Sequence, residues 1–107
     1  MKICFLIPVY NSCKFLGKLF YCLHRLDPKP DMTFFVENNS KDDTIGYIRR
    51  NYKLPYKMVR IWYKENAIKA EVNVYATIAH VRELLLTIAR HYDPDYAIFL
   101  DDDVYPQ

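Results

Sequence analysis

The chain has 107 residues, 51% hydrophobic and 26% charged, which describes one compact globular domain and excludes a disordered tail, a collagen or a membrane bundle. A chain of this size buries roughly two-thirds of its unfolded surface, enough for one core and little more. Fifteen Lys and Arg against thirteen Asp and Glu leave a net charge of +2, too even a balance to point by itself to nucleic acid or an anionic membrane surface.

Ile3 to Ile7 is a continuous apolar run stopped by Pro8, the pattern of a strand buried on both faces of a parallel sheet. After Ser12, a candidate N-cap, Phe15, Leu16, Leu19, Phe20, Leu23 and Leu26 recur at helical spacing until Asp27-Pro28-Lys29-Pro30 ends the helix. Met32 to Val36 reads as a second apolar strand, with polar turn chemistry in Glu37-Asn38-Asn39-Ser40 at its carboxyl end. Ser40 with Asp43 fits a capping box for a short helix through Arg50. A third strand is expected over Met58 to Tyr63, leading into Lys64-Glu65-Asn66. From about Val74 to Tyr92, the positions Ile78, Val81, Leu85, Ile88 and Ala89 describe one face of a longer helix, punctuated by Asp93-Pro94-Asp95. Tyr96 to Leu100 is the fourth strand, again apolar and expected to be buried, and it delivers Asp101-Asp102-Asp103 at its carboxyl end. The order β-α-β-α-β-α-β predicts an α/β fold, a Rossmann-like parallel sheet sandwiched by helices.

Two glycines, Gly17 and Gly46, cannot write a G-x-G-x-x-G turn or a Walker-A loop, so two large classes of phosphate-binding loop are excluded. Cys4, Cys13 and Cys22 fit neither a zinc site nor a disulfide framework, and read as reduced packing thiols in a cytosolic setting. The first apolar run is too short for a signal-peptide core or a membrane span of about 20 residues. The expected location is therefore cytoplasmic, with room for a peripheral membrane association.

In an open parallel sheet, ligands bind beyond the carboxyl ends of the strands, where this chain places Pro8-Val9-Tyr10-Asn11, Glu37-Asn38-Asn39-Ser40 and Asp101-Asp102-Asp103. Consecutive carboxylates repel one another, and a hard divalent cation with oxygen ligands would compensate them. In an extended segment Asp101 and Asp103 point the same way and Asp102 the other, so the first and third can share one metal. Mg²⁺ and Mn²⁺ suit this ligand set. A solvated acidic turn is the plain alternative. A diphosphate bound without a glycine cradle can be neutralised by a carboxylate-held cation, which points to a nucleotide diphosphate as leaving group.

These residues resemble the nucleotide-diphospho-sugar transferases of the GT-A fold, and within them the family 2 glycosyltransferases. Ile7-Pro8-Val9-Tyr10-Asn11 is similar to the segment after that family's first strand, Val36 to Thr44 to its "VDDGSTDGT" block, and Phe99 to Val104 to the block with its DxD motif. The three blocks occur in the family's order and span nearly the whole chain. The resemblance implies that residues 1–107 form the nucleotide-sugar-binding half of a GT-A domain, cut after the DxD strand. Pro8 and Tyr10 would line the nucleobase pocket, Glu37 and Asn38 would contact ribose and base edge, and Asn39 would stand where the family has a glycine. Asp102 would face the nucleotide sugar, Asp101 the ribose or metal, and Asp103 would be the principal metal ligand. Arg82 would approach the nucleotide. The donor would be a UDP- or GDP-sugar with Mn²⁺ or Mg²⁺, and the sugar would pass to a glycan, lipid or protein hydroxyl. The general base of such a reaction is expected beyond Gln107.

Simpler readings stand beside these. Tyr10 is one of ten tyrosines and can serve packing alone. Ser40, Asp42 and Asp43 are explained by helix capping, and Arg82 by a solvated helix face. The run Arg49, Arg50, Lys53, Lys57, Arg60 and Lys64 reads as a solvated face, and His24, His80 and His91 have no metal-like spacing. A Toprim-like nucleic-acid enzyme would need a glycine after Glu37 and another after the DxD block, and neither is present. A non-catalytic nucleotide-binding or interaction module is the remaining alternative.

Overall fold

The computed structural model describes residues 1–61 and 70–102, with side chains outside 70–78. In chain order the elements are β1 (Ile3–Val9), α1 (Cys13–His24), β2 (Met32–Asn38), α2 (Thr44–Asn51), β3 (Tyr56–Ile61), α3 (Ala70–Tyr92) and β4 (Tyr96–Phe99). The strands form one sheet in the order β3-β2-β1-β4, and every neighbouring pair is parallel. The expected α/β alternation is present, and β1 is central. Successive side chains of β1 point to opposite faces, as a strand requires. Phe5, Ile7 and Val9 join the cluster beneath α1 and α2, whereas Cys4 and Leu6 join the one beneath α3.

α1 buries Leu16, Leu19, Phe20 and Leu23, the stripe read from the spacing. α1 and α2 approach closely at Gly17, where an added Cβ would lie 2.9 Å from the Tyr47 hydroxyl oxygen. A ring cluster of Phe20, Phe35, Tyr52 and Tyr56 fills the core on this face, with Phe20 and Tyr52 centroids 4.7 Å apart. Tyr52 shares a hydrogen bond of 2.6 Å with Thr33, both buried, so its phenol does not enter the core unsatisfied. On the other face, Val81, Leu85 and Ala89 of α3 pack on Cys4, Leu6, Phe34 and Val36.

Four details depart from the sequence reading. α3 starts at Ala70, ahead of the expected Val74. β3 begins two residues before Met58, at Tyr56, and Trp62, Tyr63 and Lys64-Glu65-Asn66 lie outside the described residues. Asp43 is the N-cap of α2, but no side-chain bond caps it; Ser40 sits in the preceding loop and bonds elsewhere, so there is no capping box. β4 is not buried: each of its four residues is exposed. β4 lies at one end of the strand order, and unlike β3 at the other end, which packs Tyr56 and Met58 on the core, it contributes no residue to either core cluster among the described residues.

Candidate functional site at the carboxyl ends of the strands

The register brings three polar segments to one end of the sheet. Val9 of β1 pairs with Glu37 of β2, and Glu37 in turn with Arg60 of β3. On the other side Leu6 pairs with Phe99, and the Leu100 amide donates to the Leu6 carbonyl at 3.0 Å. Asp101 and Asp102 therefore emerge beside the segment that follows β1.

The loops after β1 and β2 are bonded to each other. The Asn11 amide donates to Ser40 Oγ at 3.0 Å, and Asn11 Oδ1 accepts from the Lys41 amide at 2.7 Å. The Ser12 amide donates to Thr44 Oγ1 at 2.9 Å, and Asp42 accepts from the Cys13 and Thr44 amides and from the Thr44 hydroxyl. Asn11 and Asn39 both have φ near 47°, the left-handed region that Asn tolerates better than most residues. The backbone at Asn39 is therefore of the kind glycine usually supplies. Asp42 is a clamp between loops as well as a helix-start residue, a role the capping reading missed.

Ser12 joins the third segment to the other two. Fully buried at the start of α1, it makes no side-chain cap. Its hydroxyl instead accepts from the Tyr10 amide at 2.9 Å and donates to the Asp102 carboxylate. Asp101, beside it, is turned outward with its side chain 54% exposed, and Arg82 of α3 reaches to within 3.9 Å of it. The Arg82 guanidinium also lies 5.9 Å from the Phe99 ring centroid. Both groups are half in water, so their attraction holds neither firmly.

The expected contact residues divide by exposure. Tyr10 is 48% exposed, while Pro8, Asn38 and Asn39 are half-buried. Glu37 is different, because it is fully buried. One carboxylate oxygen accepts from the Ser40 amide and the other lies 3.1 Å from Arg60 Nε, without the alignment of a hydrogen bond. Glu37 therefore supports the 37–40 loop from beneath and does not reach the crevice surface in this state. Its partner Arg60 belongs to the run read as a solvated face; the β2–β3 register, which is invisible in the sequence, gives it a buried counter-ion.

Asp103, the expected principal metal ligand, lies outside the described residues. Among the described residues no group of three or more His, Cys, Asp or Glu is placed to hold a metal ion. His24 plays a structural part, since its Nε2 accepts from the Lys53 amide. Burial pushes its pKa down, with Lys53 and Lys29 adding to the effect. No described helix is long and apolar enough to cross a membrane.

No family model and no curated protein matches the chain. Solved structures do. S. aureus TarS 1-349 in complex with UDP is 24% identical, with 98% of this chain and 28% of that one covered at a TM-score of 0.70. TarS 1-349 in complex with UDP-GlcNAc matches at 24% identity over 98% of this chain and 27% of that one, with a TM-score of 0.69. The mannosyltransferase PcManGT from Pyrobaculum calidifontis, in complex with GDP-Man and Mn²⁺, is 20% identical over 97% of this chain and 28% of its own, at 0.67. The chain thus spans less than a third of each of these proteins. The likeness establishes the fold: this parallel sheet with its flanking helices has a GT-A-like α/β fold.

Proposed function

We propose that the chain is the donor-binding part of a glycosyltransferase, holding a nucleotide-diphosphate sugar at the carboxyl ends of β1, β2 and β4 for transfer to an acceptor hydroxyl. The observation that carries this reading is the convergence of the three polar strand ends, bonded to one another through Asn11, Ser12 and Asp102. The matched structures hold UDP, UDP-GlcNAc and GDP-Man with Mn²⁺ on the same fold, which supports a ligand of this class.

Tyr10, exposed at the end of β1, offers a ring for the nucleobase to pack on, with Pro8 beside it. Asn38 and Asn39 at the rim supply donors and acceptors to the base edge and ribose, and an amide can do both. Glu37 keeps the 37–40 loop in place. Arg82 supplies positive charge next to Asp101, on the side where a diphosphate would lie.

The donor set at the end of β4 is oxygen only and outward-facing at Asp101, which fits a hard divalent cation completed by phosphate oxygens and water. Asp101 and Asp103 would hold Mn²⁺ or Mg²⁺, and such a cation neutralises charge on a departing diphosphate. Asp102, engaged by Ser12, orients the run.

Equilibrium binding of UDP and GDP in Mn²⁺, in Mg²⁺ and in EDTA tests the reading. The expected result is metal-dependent binding of one nucleotide, lost in Asp103→Ala with the melting temperature unchanged, since relief of carboxylate repulsion does not unfold the sheet. Unchanged binding in that variant would remove the metal assignment. No binding by the native chain under any condition would remove the reading itself.

A further inference from the structure

We propose that Ser12 is a positioning residue of the donor site, whose buried hydroxyl holds Asp101 and Asp102 after β4 in register with the Tyr10 loop. The inference rests on the donor-site reading and adds to it a residue outside the predicted contact set. A serine at the start of a helix ordinarily caps the first free amides. Ser12 does not: its carbonyl accepts from Phe15 at 2.8 Å and Leu16 at 3.2 Å, and its side chain makes no cap bond. The hydroxyl is free to bond elsewhere.

One hydroxyl carries one proton and two acceptor sites. The Tyr10 amide, 2.9 Å away, takes an acceptor site, which leaves the proton for either the Tyr10 carbonyl at 3.2 Å or the Asp102 carboxylate. The charged acceptor is the stronger partner, so the proton lies on the Asp102 side. This single oxygen thus joins residues 90 positions apart in the chain.

The bond matters because the strand has ended. The last ladder bond from this segment to β1 is that of the Leu100 amide, and beyond it the described attachments of the acidic run are Ser12 on Asp102 and the exposed Arg82 beside Asp101. An exposed pair 3.9 Å apart cannot fix a backbone. With Asp102 drawn inward by Ser12, Asp101 stays turned outward. Because the Tyr10 amide is bonded to the same oxygen, the nucleobase side and the cation side of the site share one anchor.

The test is a double-mutant cycle of Ser12→Ala, Asp102→Ala and both together, reading Mn²⁺-dependent affinity for UDP and GDP with melting temperatures alongside. Each single change is expected to weaken that affinity about tenfold, the scale of one lost hydrogen bond to a charged group, and the double variant to be no weaker than either. Ser12→Thr, which keeps the hydroxyl, is expected to recover most of the loss. Asp102→Ala, at a half-buried position outside the core, carries the test if Ser12→Ala proves unstable. Independent losses that multiply to about a hundredfold, or native affinity in either single variant, would overturn the inference and leave the donor site standing. A native chain that binds neither nucleotide with Mn²⁺ would overturn both.

Discussion

β1 and β4 lie side by side, are paired in parallel from Ile3↔Tyr96 to Leu6↔Phe99, and are both almost wholly apolar, yet they occupy opposite environments. Cys4, Leu6 and Ile7 are fully buried, whereas Tyr96, Ile98 and Phe99 keep between 37% and 57% of their surface. The difference is in what surrounds each strand, since β1 feeds both core clusters and β4 neither. β1 has strands on both sides and helices on both faces, whereas β4 has β1 on one side and no described strand on the other. Apolar content tells that a segment is a strand; the environment comes from its neighbours. An exposed apolar edge of this kind also invites pairing with another strand.

Alanine substitutions should separate the two strands most strongly. Leu6→Ala removes a fully buried side chain between β1 and α3 and should cost about 2–5 kcal/mol in urea unfolding. Ile98→Ala removes a side chain already 42% exposed and should cost under about 1 kcal/mol. Equal losses would mean that the edge of β4 is covered in solution.

A smaller contrast sets two tyrosines against each other. Tyr52→Phe removes the buried bond to Thr33 of the interior strand β2 and should cost about 1 kcal/mol. Tyr96→Phe, on the exposed edge, should change stability by less than about 0.5 kcal/mol. Burial pushes the Tyr52 phenol up to about 12 from 10.0, against the opposing pull of its hydrogen bond with Thr33. A folded-state pKa above the unfolded one gives stability that is complete below pH 10 and declines as pH rises through about 12. Alkaline unfolding should therefore lose part of its steepness in Tyr52→Phe and keep it in Tyr96→Phe.

What was legible in the sequence follows the same division. Strand and helix identities came from local runs, because Ile3 to Ile7 and the stripe Leu16, Leu19, Phe20 and Leu23 each carry their own periodicity. The three polar strand ends were legible as well, since a parallel sheet brings such ends together whatever the strand order. The exposure of β4 was not, because it depends on which neighbours and helices cover the strand in the fold. Glu37 could not be recognised as buried, because its counter-ion Arg60 reaches it through the β2–β3 register. Ser12 looked like a cap because local sequence shows only the helix it precedes; its partner Asp102 is supplied by the fold. Ser40 was misread for a similar reason: it precedes a helix, but its bonds go to Asn11 and Glu37.

The central claim, a nucleotide and its cation at the carboxyl ends of the strands, is tested most directly by locating the metal. Mn²⁺ added with UDP or GDP to the isotopically labelled chain broadens nearby backbone amide resonances in NMR spectra. The account predicts selective broadening at residues 10–12, 38–40 and 101–102. Amides at the opposite end of the sheet, among them Lys2, Asp31 and Asp95, should stay sharp. Broadening centred on that opposite end, or spread evenly over the surface, would contradict the account.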